Sequence, residues 1–382
     1  STDRGRHSRI FAKRQTTPLP QPYRLGEDVP REGGAWLMVS NLEDNYLRSL
    51  SKTEQVALRL IKSDLQFLYT TVENKSITGA SYVVALLPYV GLIIDGCERW
   101  TKKVPLLRGY VESFSDAEKQ YYTEMRNSIK LWEMPFSELF SKIKEKYDES
   151  EKHFSSCCKQ ITKKMKLYDI YGAYLINDMF CDNTILDMIF VPRFEFNHID
   201  GQYIKNMAEI AGKIVAAFEI SDLQTWDLSI SSTYRTKDYG GFVKSPVKNS
   251  FSSNFVLFSM LCTVNFIIFG VEKYVVPEVP IKLRLAYIQY YYLVQQIPQI
   301  NSQLKTQFFM DNRWIDSKGT FRNCMAHYGV GVALSQDEVI ETDEFGGLTQ
   351  KIFKQYWIPM KNSIVDELSQ FSKQVRSYLG LN

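Results

Sequence analysis

The chain has 382 residues, 45% hydrophobic, 14% aromatic and 23% charged, which excludes a disordered protein and allows two domains or one elaborated helical domain. A formal net charge of +3 is too small to argue for nucleic-acid binding by the whole molecule, so any basic surface must be local. Six cysteines without a Cys-x-x-Cys pair, four histidines and no His-Glu-x-x-His exclude the usual metal and disulfide frameworks.

Reduced thiols in a cytoplasmic protein are therefore expected, with no metal and no cofactor, and the N-terminus lacks the apolar region of a secretory signal. Residues 1–33 read as a basic flexible arm, with Arg4, Arg6, Arg9, Lys13, Arg14, Arg24 and Arg31 set among prolines. From residue 35 to residue 73 the pattern turns helical. It restarts at Ser51, where Glu54 completes a capping box, and continues through Val56, Leu60, Leu65 and Leu68. Residues 80–95 are uncharged up to Asp95 but broken by Pro88 and Gly91, which predicts a buried helix or helix pair rather than a membrane span.

Residues 115–180 read as one or two long amphipathic helices starting at Ser115 and interrupted at Pro135. They carry the densest lysine run in the chain, from Lys142 to Lys166. Acidic residues interleaved with it favour a solvated face laced with ion pairs over a track for RNA. Residues 181–250 are less helical apart from 204–219. Arg235 and Lys237, set beside Tyr234 and Tyr239, predict a mobile basic and aromatic loop suited to stacking single-stranded bases, or else a plain connection. Residues 255–271 carry no charge and predict a central helix enclosed by others. Residues 281–300 and 348–379 complete the long helical segments, the latter broken or kinked at Pro359.

The chemistry sits in Arg322-Asn323-Cys324-Met325-Ala326-His327. A guanidinium that keeps its charge and an imidazole that titrates near neutrality are what metal-free phosphodiester cleavage requires. On a helix the two side chains lie about 140° apart and do not share a narrow face, which leaves a satisfied buried pair or the two sides of a groove. A second Arg-x4-His, Arg193 to His198, follows Pro192 and reads as strand or loop, a coincidence of composition.

The Arg322 motif resembles the signature of the HEPN superfamily, over residues 250–382 only. The resemblance implies a mainly α fold, with a helical N-terminal region followed by a HEPN-like up-and-down four-helix bundle. Residues 34–245 would then be a helical sensing or regulatory region. It further implies a metal-independent endoribonuclease, a toxin or antiviral defence effector, whose homodimer joins two motifs in one composite site. Arg322 would stabilise the pentacovalent phosphorus, His327 would move protons, and Asn323 would orient the phosphate or the imidazole. Tyr328, Arg235 and Lys237 would bind the RNA substrate, with core packing the other and commoner reading of Tyr328. An antitoxin or regulatory partner fits the same resemblance, and no stable membrane insertion is expected. Two other readings stay open: a non-catalytic helical interaction module, and a membrane-associated effector using residues 255–271.

Overall fold

The computed structural model describes residues 49–73, 80–102, 114–196, 202–217, 223–240, 245–247 and 251–381. The arm expected at residues 1–33 lies outside them, as does the start of the helical pattern at 35–48.

Helix α1 (Lys52–Glu73) begins where its capping box places it: Glu54 N–H donates to Ser51 Oγ at 3.3 Å, and Ser51 N–H donates to the Glu54 carboxylate at 2.8 Å. Helix α2 (Ala80–Thr101) is one continuous buried helix that runs through Pro88 and Gly91. A second capping box, Ser115 with Glu118, starts α3 (Asp116–Ser128). A 3-10 turn over Ile129–Glu133 and Pro135 then separate it from α4 (Phe136–Ser156). There the lysine run largely follows the solvated reading, with Lys144 paired to Asp148 and Lys146 to Glu149.

After the short α5 (Gln160–Lys164) the helical expectation to residue 180 fails. Strands β1 (Asp169–Ile176) and β2 (Met179–Asn183) form an antiparallel hairpin. Its two-residue turn places Asn177 and Asp178 at φ of 50° and 64°, the double left-handed geometry whose twist matches the flanking strands. The β-branched and aromatic Ile170, Tyr171, Tyr174 and Ile176 ahead of Asn-Asp carried that signal in the sequence.

Asn183 then caps α6 (Thr184–Phe190), and α7 (Gln202–Ala217) occupies the helix expected at 204–219. Strand β3 (Tyr234–Gly240) pairs with β1 on the side away from β2, giving the order β2-β1-β3. The segment expected as a mobile basic loop is thus an edge strand fixed by backbone hydrogen bonds.

Helix α8 (Ser253–Asn265) continues into a π-helical turn at Phe266–Glu272. Together they are long and apolar enough to cross a membrane, yet 89% of the most apolar window is buried inside the protein. That is the central enclosed helix the composition predicts. The remaining helices are α9 (Pro280–Leu304), α10 (Thr320–His327), α11 (Val330–Ala333), α12 (Gly346–Phe353) and α13 (Trp357–Leu379). The break in the last helical stretch falls at Lys354, in left-handed geometry, and not at Pro359. Pro359 sits in the first turn of α13, where a missing N–H costs nothing.

The fold is mainly α with one small sheet. Helices α8 and α9 both pack on α13, and α1 packs on α9. The motif helix α10 has eight residues and is wedged between α9 and α2. Residues 50–382 accordingly form one unit, with no boundary between 50–245 and 250–382. The reason is physical: α10 buries its apolar side against a helix from the first third of the chain.

Candidate functional site

Helix α10 is anchored by Phe321. Its ring is fully buried edge-on to Tyr287 and Phe353, at centroid distances of 4.6 and 5.0 Å. The helix ends at Tyr328, which closes it in left-handed geometry at φ 52°, costly for a bulky side chain. A buried network holds that conformation. The Tyr328 hydroxyl donates to Asp64 of α1 at 2.6 Å, and the Arg284 guanidinium of α9 lies over the Tyr328 ring, 4.0 Å from its centroid. Arg284 also donates to Asp64, to the Tyr328 hydroxyl and to the carbonyl oxygens of Met325 and Ala326. The last turn of the motif helix is thus fixed from behind by a cation that satisfies its free carbonyls.

Two glycines bring α2 close to its neighbours, one to this turn and one to α3. A Cβ on Gly96 would stand 2.8 Å from the Tyr328 ring and 3.1 Å from the Ala326 carbonyl oxygen. One on Gly91 would stand 2.3 Å from the backbone nitrogen of Arg126 in α3. The glycine that looked like a breaker in the sequence is the contact point of two helices. Between the two lies Asp95, with only 8% of its side chain exposed.

Asp95 Oδ2 is the centre of the site. It accepts from Arg99 Nε at 2.8 Å and forms an ion pair with Arg126 Nε at 3.1 Å, and His327 Nδ1 stands 3.6 Å away. Arg322 approaches from the other end of α10. It donates to the Tyr292 hydroxyl at 2.7 Å and to Asn323 Oδ1 at 3.2 Å, with the Tyr291 and Tyr292 rings within cation–π range. Its Nε is buried without a partner, as is His327 Nδ1.

The proximity of Asp95 suggests an ion pair, but the charge count says otherwise. Burial and the Arg99, Arg126, Arg322 and Arg284 guanidiniums pull the His327 imidazole down to about 4. One carboxylate already shared by two arginines does not offset them, so the ring is neutral at pH 7. For Arg322, burial opposes the charge, and the Tyr292 hydroxyl and Glu133 outweigh it, so its guanidinium is held above its ordinary value. His327 keeps 23% of its side chain open to solvent. The result is a half-buried cluster of a neutral base, three guanidiniums and the carboxylates of Asp95 and Glu133.

Of the residues singled out from sequence, Arg322, Asn323 and His327 lie together on α10. Tyr328 does not join them as a base-stacking surface. It is 2% exposed, and both its ring and its hydroxyl are engaged inside the protein. Arg235 and Lys237 lie on β3, which pairs with β1; Arg235 binds Asp178 at 2.9 Å, and Lys237 lies over the Tyr239 ring. Arg193 of the second Arg-x4-His sits in an irregular turn facing Glu124 at 3.8 Å, and His198 is outside the described residues.

Asp95, Arg99 and Arg126 were missed in the sequence. A signal for the first two was present: an aspartate closing an apolar run needs a buried partner, and an arginine stands four residues on. No protein-family model matches the chain, nor does any curated protein or solved structure.

Proposed function

We propose that this protein is a metal-independent endoribonuclease whose site is the charged cluster around His327. The reading combines the HEPN-like Arg322-Asn323-x3-His327 motif with one observation: a neutral imidazole surrounded by Arg99, Arg126 and Arg322, with Asp95, and Glu133 beside Arg322, to balance them. Such a cluster favours a polyanion and supplies a base.

In the proposed reaction the RNA 2'-OH loses its proton to His327 and attacks the adjacent phosphorus. The products are a 2',3'-cyclic phosphate and a free 5'-OH. Asp95, on the Nδ1 side of the ring, favours the Nδ1–H tautomer and leaves Nε2 to accept the proton. Arg322 and Arg126 stabilise the charge that builds on the phosphorane oxygens, and the unpartnered Arg322 Nε is a donor waiting for such an oxygen. Substrate phosphate also raises the imidazole's affinity for protons, so a second His327, from a partner copy in a homodimer, can protonate the leaving oxygen. The HEPN resemblance extends the proposal to a toxin or antiviral role, held in check by an antitoxin or regulatory partner. Asp95, Arg99 and Arg126 would then build the site rather than sense from outside it.

A non-catalytic interaction module is the second reading, favoured by the bond that ties Arg322 to Tyr292 within the fold. Labelled single-stranded RNA incubated with the protein in EDTA separates the two. Under the nuclease reading, cleavage persists in EDTA, DNA of the same sequence is untouched, and Arg322→Ala and His327→Ala each lower the rate by about 10²- to 10⁴-fold. Mutants as active as the parent, or an inactive parent, would leave only the module.

A further inference from the structure

The lysine run that the sequence offers as a single feature divides in the structure. Along α4, Lys144 and Lys146 meet carboxylates, whereas residues 157–167, between α4 and β1, contain Lys159, Lys163, Lys164 and Lys166 and no acidic residue. None of these four lysines pairs with a carboxylate among the described residues, and all four side chains are exposed. The same segment exposes Ile161 at 72%, Met165 at 55% and Leu167 at 36%.

Local geometry gathers these three apolar side chains. Ile161 and Met165 are four residues apart and share one face of the α5 turn. Lys166 then adopts left-handed geometry at φ 52°, with its N–H donating to the Lys163 carbonyl at 3.1 Å and the Leu167 N–H to the Thr162 carbonyl at 2.8 Å. This paired closure at a helix end turns Leu167 back towards the residue one turn earlier. The chain has therefore built an ordered apolar cap ringed by unpaired lysines.

We propose that residues 157–167 dock the protein on an anionic lipid surface, with Ile161, Met165 and Leu167 entering the headgroup boundary and the four lysines binding lipid phosphates and carboxylates. Charge complementarity carries the choice of partner. Each lysine near a phosphatidylserine-containing surface multiplies the partition coefficient by about five, and aliphatic side chains gain by leaving water. Single-stranded RNA would use the lysines but has no use for three aliphatic side chains. The flat ring that base stacking needs is absent from the segment.

The test uses the full chain and vesicles of phosphatidylcholine, with or without about one-third phosphatidylserine. The protein is expected to pellet with the anionic vesicles alone. Lys163→Gln with Lys164→Gln lowers that affinity about twentyfold, and Ile161→Gln with Met165→Gln about tenfold. Both double variants should melt like the parent and cleave RNA at its rate, which keeps this inference separate from the nuclease proposal. In a Met165→Trp variant, anionic vesicles shift the new emission to the blue, and brominated acyl chains quench it. The proposal is overturned if anionic vesicles leave the protein in the supernatant, or if the Ile161/Met165 pair changes nothing and the emission stays put. It is equally overturned if the lysine variants lose RNA binding without any vesicle binding, or if the apolar variants abolish only self-association.

Discussion

Two arginine–carboxylate clusters lie on opposite sides of the motif helix, and they differ in stoichiometry. Behind α10, Arg284 meets Asp64, the Tyr328 hydroxyl and two backbone carbonyls, all buried, and Asp64 Oδ1 is the one side-chain atom of that group left without a hydrogen bond. In front, Arg99 and Arg126 share one oxygen of Asp95, Arg322 keeps a buried unpartnered Nε, and the histidine among them is neutral. The first cluster is closed, and its charges are spent on holding one backbone turn. The second is left electropositive and half open. Matched ionic groups in a core serve structure, whereas a mismatch maintained beside solvent calls for a ligand of opposite charge.

That contrast breaks most visibly at Arg284. Arg284→Ala strands Asp64 in the core and frees the last carbonyls of α10, so it should cost about 3–5 kcal/mol of stability, read as a fall in the urea midpoint. Arg126→Gln should cost far less stability and, under the nuclease proposal, far more activity. A similar stability loss for both would erase the distinction between the clusters.

The next largest effect is on pH dependence. The unfolded chain protonates His327 near 6.5 and the folded chain only near 4. The folded state's depressed value contributes stability that is complete above pH 6.5 and disappears as pH falls towards 4. It amounts to roughly 2 kcal/mol once the solvent-facing part of the ring is allowed for. In His327→Gln this part of the acid slope should vanish, which denaturant curves at pH 7 and pH 4.5 would show. The same shift sharpens the catalytic reading. The acid limb of kcat/KM, which reports the free protein, should lie below that of kcat, because bound phosphate restores proton affinity to the ring.

How much of this could be read in advance follows from the range of the interactions. Capping boxes at Ser51 and Ser115 and the enclosed helix at 255–271 are encoded within a few residues, and they were legible. So was the pairing of Arg322 with His327 on one helix. The hairpin at 169–183 was legible in principle, but a lysine-rich helical pattern running into it obscured the change of period at Tyr168. The partners of His327 were not legible, because Asp95, Arg99 and Arg126 lie about two hundred residues upstream, and only the close approach at Gly91 and Gly96 unites them with it. Tyr328 could be read two ways for the same reason: from sequence it is a ring beside a motif, a base-stacking surface or a core side chain, and Asp64 and Arg284 settle the second.

Gly96 tests that close approach directly. A methyl group there meets the Tyr328 ring and a backbone carbonyl, neither of which can swing aside, so Gly96→Ala should cost about 1–3 kcal/mol and lower activity by displacing Asp95 from His327.

The smallest effect is expected at Arg99, and it is the most discriminating. About half of its side chain is exposed, so removing it should barely change the melting temperature. If it only balances Asp95, then Arg99→Gln leaves RNA affinity and its salt dependence as they were. If the front cluster holds phosphate, the same substitution raises KM severalfold with kcat nearly unchanged, and the slope of log affinity against log salt becomes shallower by about 0.7, the value for one lost contact to a single strand. Losing one of the guanidiniums that face His327 should also lift the imidazole from about 4, visible as a shifted histidine resonance in a pH titration. A shallower salt slope together with a higher histidine midpoint cannot come from a bystander, because the first counts phosphate contacts and the second counts charges around the ring.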